Sequence, residues 1–281
     1  MTNILSHTGA ILFSSAALTP RDTLIEAIAA GAALSGAVLD TVDLSEVKFL
    51  NADLQDVRFV NCDLEGATFS RCNLNHAAFD RCTARRVSLR TCDCTGMKIA
   101  TCDLSLSHIS NSGFNFASIT NSDLDKCAIS NVDFTQASVH HTRLRAAHIE
   151  GCVFNQCRFN TVIGSRVQMN GVHFNRGVLD LCDFENATMI DCQFNGTKTT
   201  KGQFRDASLN ASLAMNASFV DSDFTNASIA STSFYRSLFT NSGLGGAHMS
   251  GVSFSKATID GNALAGGATE NDLPAASRPK V

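Results

Sequence analysis

Apolar, small and polar positions alternate along this chain on a fixed period of five. From Leu34 to Leu264 the register never slips, giving (264 − 34)/5 + 1 = 47 positions whose numbers end in 4 or 9, and 42 of them carry Leu, Ile, Val, Phe or Met. The exceptions are Ala84, Cys94, Gly164, Thr199 and Ala214. Two residues before each stands a small side chain, with Met97 and Asn262 as outliers. Five matches neither the 3.6 of a helix nor the 2 of a strand, so the repeat outranks local propensity. Side chains at i and i−2 share one side of an extended segment. The other three residues must then turn a corner. Each pentapeptide is predicted to be one short extended side plus a bend, with positions ending in 2, 4, 7 and 9 inside. The bends carry Asn, Asp, Ser, Thr and Gly, as at Asn51, Asn61, Gly66 and Asn75.

Outside the register the pattern changes. Residues 8 to 16 read as a short strand. Thr19-Pro20-Arg21-Asp22 supplies an N-cap, a proline at N1 and an acid at N3, and Leu24, Ile25 and Ile28 give one apolar face before Gly31. This helix is expected to cap the first coil, whose edge would otherwise be open. The domain reading is a strand and capping helix over 1–31, a repeat region over 32–264, and a polar tail over 265–281 expected to be flexible.

The triplets Ala52-Asp53-Leu54, Cys62-Asp63-Leu64, Cys72-Asn73-Leu74 and Cys102-Asp103-Leu104 resemble the pentapeptide-repeat family. The resemblance implies an all-β fold, a right-handed quadrilateral β-helix solenoid with four pentapeptides per coil. Residues twenty apart would then stack at ~4.8 Å. Phe114, Phe134, Phe154, Phe174 and Phe194 are expected to form a ladder, and 47 units a rod about 55 Å long.

The charge balance, 22 basic against 26 acidic residues and −4 net, supports neither direct nucleic-acid binding nor strong acidic mimicry by its total. No apolar run reaches the eighteen residues of a membrane span, and no basic residue precedes Ala10-Ile11-Leu12-Phe13 as a signal peptide requires. The expected location is cytoplasmic; delivery as an effector or incorporation in a virion is compatible with the same sequence. Ten of the eleven cysteines stand at i−2 and Cys94 at i. They read as small core residues, with Cys62, Cys82 and Cys102 stacked. No Cys-x-x-Cys marks a zinc knuckle.

A side-chain-filled interior offers no concave site for converging acids and bases, so an enzyme is not expected, nor a metal or other cofactor. His108, His148 and His248 share an outward column, too widely spaced for one zinc ion, and His140-His141 reads as a pair of exposed turn residues. The Asn-x-Ser/Thr triplets at Asn186, Asn195, Asn210, Asn216 and Asn226 arise from the repeat register. Placement of charge says more. One i−1 column carries Asp43, Asp63, Asp103, Asp123, Asp183 and Asp223, a candidate acidic face, and the opposite column Asp53, Asp93 and Asp133. The remaining two columns hold Lys48, Arg58, Lys98, Arg158 and Lys198 and no acid. Aspartate before leucine also has a structural use, since it can hydrogen-bond the turn backbone. Arg71, Arg81, Arg85, Arg86 and Arg90 form a candidate basic patch. Outward Val178, Leu181, Val220 and Leu238 form a candidate apolar contact surface.

These features lead to a non-enzymatic rigid rod that binds another protein or serves as a structural module: a bacterial scaffold, a translocated effector or a phage component. Self-association through the coil ends is compatible with this. The resemblance implies an alternative, modulation or protection of DNA gyrase by mimicry of duplex DNA, to which the aspartate columns would contribute. The chain departs from those members in its near-neutral charge, its lack of a loop insertion and its lack of a C-terminal helix.

Overall fold

Corners numbered in 6 repeat one set of backbone hydrogen bonds. Val47 N–H donates to Leu44 C=O at 3.1 Å, closing the bend, while Glu46 N–H donates to Glu65 C=O in the next coil at 2.8 Å. Corners numbered in 1 keep the bond to the next coil without the closing one, as in Thr41 N–H to Val60 C=O at 2.9 Å. Residues numbered in 1 and 6 adopt the left-handed conformation, Thr41, Glu46, Asn51 and Asp56 bounding one turn of the coil. Left-handed backbone costs an ordinary residue roughly 1–2 kcal/mol. Stacking offsets that cost, because in this conformation the corner N–H bonds the neighbouring coil. Corners therefore accept residues no turn statistic favours, among them Leu106, Phe116 and Leu181. Four such corners enclose twenty residues, and the chain is a four-sided β-helix.

The computed structural model describes residues 1–260. It divides into two compact units, Met1–Ala137 and Ser138 onward. In the first, β1 (Thr2–Ser6) and β2 (Ile11–Ser15) form an antiparallel hairpin, α1 spans Pro20–Ala29, and β3 (Ala37–Asp40) opens the coils. β1 lies antiparallel to β3 and so covers the first strand of one sheet. That sheet continues through Arg58–Val60, Ala78–Asp80, Lys98–Ala100 and Ser118–Thr120, in parallel register twenty residues apart. A second sheet stacks Lys48–Leu50, Thr68–Ser70, Ser88–Arg90, His108–Ser110 and Ala128–Ser130. Between them run columns of single bridges, such as Asp43, Asp63, Thr83, Asp103 and Asp123. The second unit repeats the plan, with one sheet from Ser138–His140 to Thr258–Ile259 and the other from His148–Glu150 to His248–Ser250.

Positions ending in 2, 4, 7 and 9 are buried without exception from Leu54 to Leu244. Near the ends the rule softens: Val42, Ala52, Ala247, Met249, Val252, Ala257 and Ile259 are half-buried, because the coil on one side is absent among the described residues. Aromatic stacking follows the register. Phe49 lies on Phe69 at 4.4 Å and 3°, and Phe114 meets Phe134 at 5.2 Å. In the second unit Phe154, Phe174 and Phe194 stack at 5.1 and 5.4 Å. Gly164 interrupts the apolar series for a steric reason, since a Cβ there would stand 3.0 Å from the Phe184 ring.

The small i−2 residues do more than save space. Cys62 Sγ donates to Leu39 C=O at 3.2 Å, Ser112 Oγ donates to Ser110 C=O at 2.8 Å, and Ser112 Oγ accepts from Cys92 N–H at 3.0 Å. Ser, Thr and Cys at i−2 thus serve backbone groups of the coil that the ladders leave over.

The N-terminal segment differs from the sequence reading in two respects. The strand expected over 8–16 is β2, and β1 before it carries no periodic signal in its five residues. The apolar face of α1 is Thr23, Leu24 and Ala27, while Ile25 is 43% exposed and Ile28 half-buried. Thr23 can be buried because its Oγ1 donates to Thr19 C=O at 2.9 Å, so the buried stripe includes it in place of Ile25. Thr19 Oγ1 accepts from Asp22 N–H at 3.0 Å as its N-cap role requires. Leu264 and the tail over 265–281 lie outside the described residues.

Candidate interaction surfaces

A core filled by side chains leaves the outer faces as the places where chemistry can occur. The acidic columns are built by the turn. Asp43 Oδ1 accepts from Ser45 N–H at 2.9 Å and Ser45 Oγ at 2.7 Å; Asp63, Asp103, Asp123, Asp183 and Asp223 bond the N–H two residues on at 2.8 or 2.9 Å. The opposite column does the same through Asp53, Asp93 and Asp133. Asn73 substitutes at 3.1 Å. Each aspartate therefore satisfies a backbone donor that has no other place in the coil.

The six aspartates do not form one run. In the first unit Asp43 neighbours Asp63 and Asp103 neighbours Asp123, with Thr83 between the pairs; in the second, Gln203 separates Asp183 from Asp223. Asp43 and Asp223 are held by bases. Arg21 of α1 reaches Asp43 Oδ1 at 3.0 Å, and Arg205 reaches Asp223 Oδ2 at 2.7 Å. Hydrogen bonds from the Ser45 hydroxyl and backbone, then Arg21, hold the Asp43 carboxyl below its ordinary value of 3.8. At Asp223 burial pushes the other way, but bonds from Thr225 and Arg205 outweigh it. Asp93 and Asp133 are lowered against burial in the same manner, by Thr95 with Asn75 and by Thr135 with Asn115.

The five arginines are all exposed but fall on three successive corners. Arg71 N–H donates to Arg90 C=O, which puts those two together. Arg85 and Arg86 occupy the preceding corner and Arg81 the one before that. Arg81 pairs with Asp80 at 3.0 Å and Arg86 with Glu65 at 3.3 Å, so the basic charge is partly answered within the surface. Val178, Val220 and Leu238 share one sheet of the second unit, and Leu181 follows at its corner. Val178 and Leu238 are separated along the stack by Lys198 and Ser218, while Val220 stands between Thr200 and Thr240. The surface is apolar and polar by turns, with Leu181 48% and Leu238 40% exposed.

Sequence reasoning missed Arg21, which has no register signal and is recognisable only once α1 lies against the first coil. It also missed Tyr235, whose ring carries Arg236 at 5.1 Å and Lys256 at 5.6 Å. All eleven cysteines are buried, and burial pushes the thiols of Cys182 and Cys192 up to about 12 and about 11. Among the described residues no group of three or more His, Cys, Asp or Glu is placed to hold a metal ion, and no helix is long and apolar enough to cross a membrane.

Stacked five-residue sides around a filled interior define a β-helical repeat protein. Residues 34–109 match the family described as pentapeptide repeat region, and the same five-residue register runs on through the described residues after them. Among solved structures, a trypsin-treated form of QnrB1, a plasmid-mediated fluoroquinolone resistance protein, is 19% identical with a TM-score of 0.34, over 58% of this chain and 88% of that one. HetL, a pentapeptide repeat protein involved in heterocyst differentiation regulation from the cyanobacterium Nostoc, is 18% identical with a TM-score of 0.23, over 84% of this chain and 93% of that one. No curated protein matches the chain.

Proposed function

We propose that the protein is a non-catalytic interaction module that binds another protein through the outer faces of its coils. The observation that carries this reading is the unbroken burial of register positions from Leu54 to Leu244, which fills the interior and leaves function to the surface. Repeat solenoids present regular extended faces suited to such contact. The favoured contact face is the second-unit sheet bearing Val178, Val220 and Leu238, with Leu181 at its corner. Its mixture of apolar groups with Lys198, Ser218 and Thr200 is the composition of a non-obligate interface. Affinity capture with the full chain from its native host should recover one partner, whose yield falls when Val178→Glu or Leu238→Glu is introduced. Unchanged recovery by both variants would remove this face from consideration.

A second reading, mimicry of duplex DNA toward gyrase, is favoured by the exposed stacking of Asp43 on Asp63. Charge density argues against it. Duplex DNA carries a charge about every 1.7 Å, whereas the seven aspartates of both first-unit columns span five coils, about 24 Å, or one per about 3.4 Å. The same aspartates are already engaged by the turns. Inhibition of gyrase supercoiling by the purified protein, lost on replacing Asp43, Asp63, Asp103 and Asp123 by Asn, would establish the second reading in place of the first.

A further inference from the structure

Where the N-terminal hairpin meets the first coil, the otherwise continuous packing opens. β1 pairs with β3 through only two residue pairs, Leu5 with Val38 and Ser6 with Ala37. Both strands run on, β1 back to Thr2 and β3 forward to Asp40. They splay beyond Val38, leaving a recess of about 590 Å³. That volume lies within the range of ordinary ligand and peptide sites.

The lining mixes apolar, polar and charged side chains. Leu5, Val38, Val42 and Pro20 line it together with the exposed Arg58 and Asp40. Leu5 is 42% exposed. Val42 is half-buried, although its register equivalents Cys62, Cys82 and Cys102 are at most 3% exposed. Arg21 is engaged by Asp43 and Arg81 by Asp80, while His7 lines the recess along with Arg58. The Arg58 guanidinium makes no ion pair or side-chain hydrogen bond among the described residues. Asp40 Oδ1 accepts from Asn61 Nδ2 at 3.1 Å and Thr41 Oγ1 at 2.9 Å. These bonds, the Asn61 one foremost, hold its carboxyl below the ordinary value and keep it anionic.

We propose that this recess docks an extended segment of a partner protein that carries a carboxylate beside an apolar side chain. The carboxylate pairs with Arg58, a charge-assisted contact. The apolar side chain covers Leu5 and Val42, and the main chain runs along the splayed strands, in the manner of strand addition. A lining of both signs favours a peptide over a fatty acid: Asp40 repels a simple anion and accepts from a peptide N–H. The proposal rests on the interaction reading above but uses a different surface.

The test is selection of random linear dodecapeptides displayed on phage against the immobilised full chain, followed by fluorescence anisotropy with the winning peptides. Enriched sequences should set Asp or Glu beside an apolar residue. They should bind Arg58→Glu about tenfold or more weakly, as the loss of a charge-assisted bond implies. Lys98→Glu, two strands along the same sheet, should bind like the parent. Circular dichroism melts confirm that both variants are folded. Enrichment no better than on an unrelated protein, enrichment of peptides without an acid, or equal losses in both variants would overturn the proposal. So would binding of dodecanoate in preference to every peptide, which would assign the recess to a lipid. A native partner whose capture needs Leu238 but ignores Arg58→Glu would overturn this inference and leave the interaction reading standing.

Discussion

Arg21 joins the capping helix to the first coil through Asp43: its Nη1 lies 3.0 Å from Asp43 Oδ1 and 3.0 Å from Asp43 C=O, while Nη2 donates to Ser45 C=O at 2.8 Å. One guanidinium thus meets the first acid of the column and two carbonyls of the same turn. The carbonyls are the edge groups that a preceding coil would have met, so Arg21 stands in for missing β-helix.

Removing that side chain should loosen the cap and little else. The pair is partly exposed, with side-chain accessibilities of 34% and 68%, which limits its worth to about 1 kcal/mol or less. Arg21→Ala is expected to speed amide exchange across Pro20–Ala29 while protection of Phe69 and Phe79 stays unchanged. A uniform rise in exchange along the first unit would show that the cap holds the coils as well.

The ladder in the second unit should be intolerant of cavities. Phe174 lies between Phe154 and Phe194 and is fully buried. Phe174→Ala should cost about 3–5 kcal/mol in urea unfolding, because the coils above and below cannot close around the void. A loss under 1 kcal/mol would mean that the coils can collapse.

Thr199 offers the opposite effect. It is the one threonine at an i position, it is 1% exposed, and its Oγ1 is buried without a hydrogen-bond partner among the described residues. Thr199→Val keeps the shape and removes the stranded hydroxyl, so unfolding free energy should rise by about 1–2 kcal/mol. A destabilised variant would reveal a bonded water at that site.

Acid should unfold the protein through its turns. Asp43, Asp93, Asp133 and Asp223 are all held below their ordinary value of 3.8. A depressed carboxylate contributes stability that is present above its unfolded value and lost as pH falls through the folded one. Denaturation midpoints should therefore be level from pH 5 to 7 and fall below about pH 4. The quadruple Asn replacement at these positions should flatten that decline, since Asn73 shows that an amide can make the same turn bond.

Thiol chemistry gives a check on the core. The native protein should resist thiol reagents, and after denaturation without reductant close to eleven thiols should react. A count of five or fewer would show that stacked cysteines such as Cys62 and Cys82 are bridged.

The sequence by itself determined the repeat. Period five, large residues at i and small ones at i−2 dictate which atoms face inward, because only that assignment lets residues such as Phe174 and Cys182 share a narrow interior. The alternation of aspartate columns was legible for the same reason, and so was the turn bond that an aspartate before leucine can make. Tertiary structure decided the rest. Phe116 and Leu181 in left-handed corners contradict local propensity and are held there by hydrogen bonds to the next coil. Arg71, Arg81, Arg85, Arg86 and Arg90 are close in number but are parted around the coil, since five residues along the chain turn a full corner. Arg21 carries no pattern at all, and Arg58 reads in the sequence only as one more member of a basic column. Arg21 acquires its contacts when a helix settles on the first coil, and the recess beside Arg58 opens where two strands splay, in both cases between segments that no period relates.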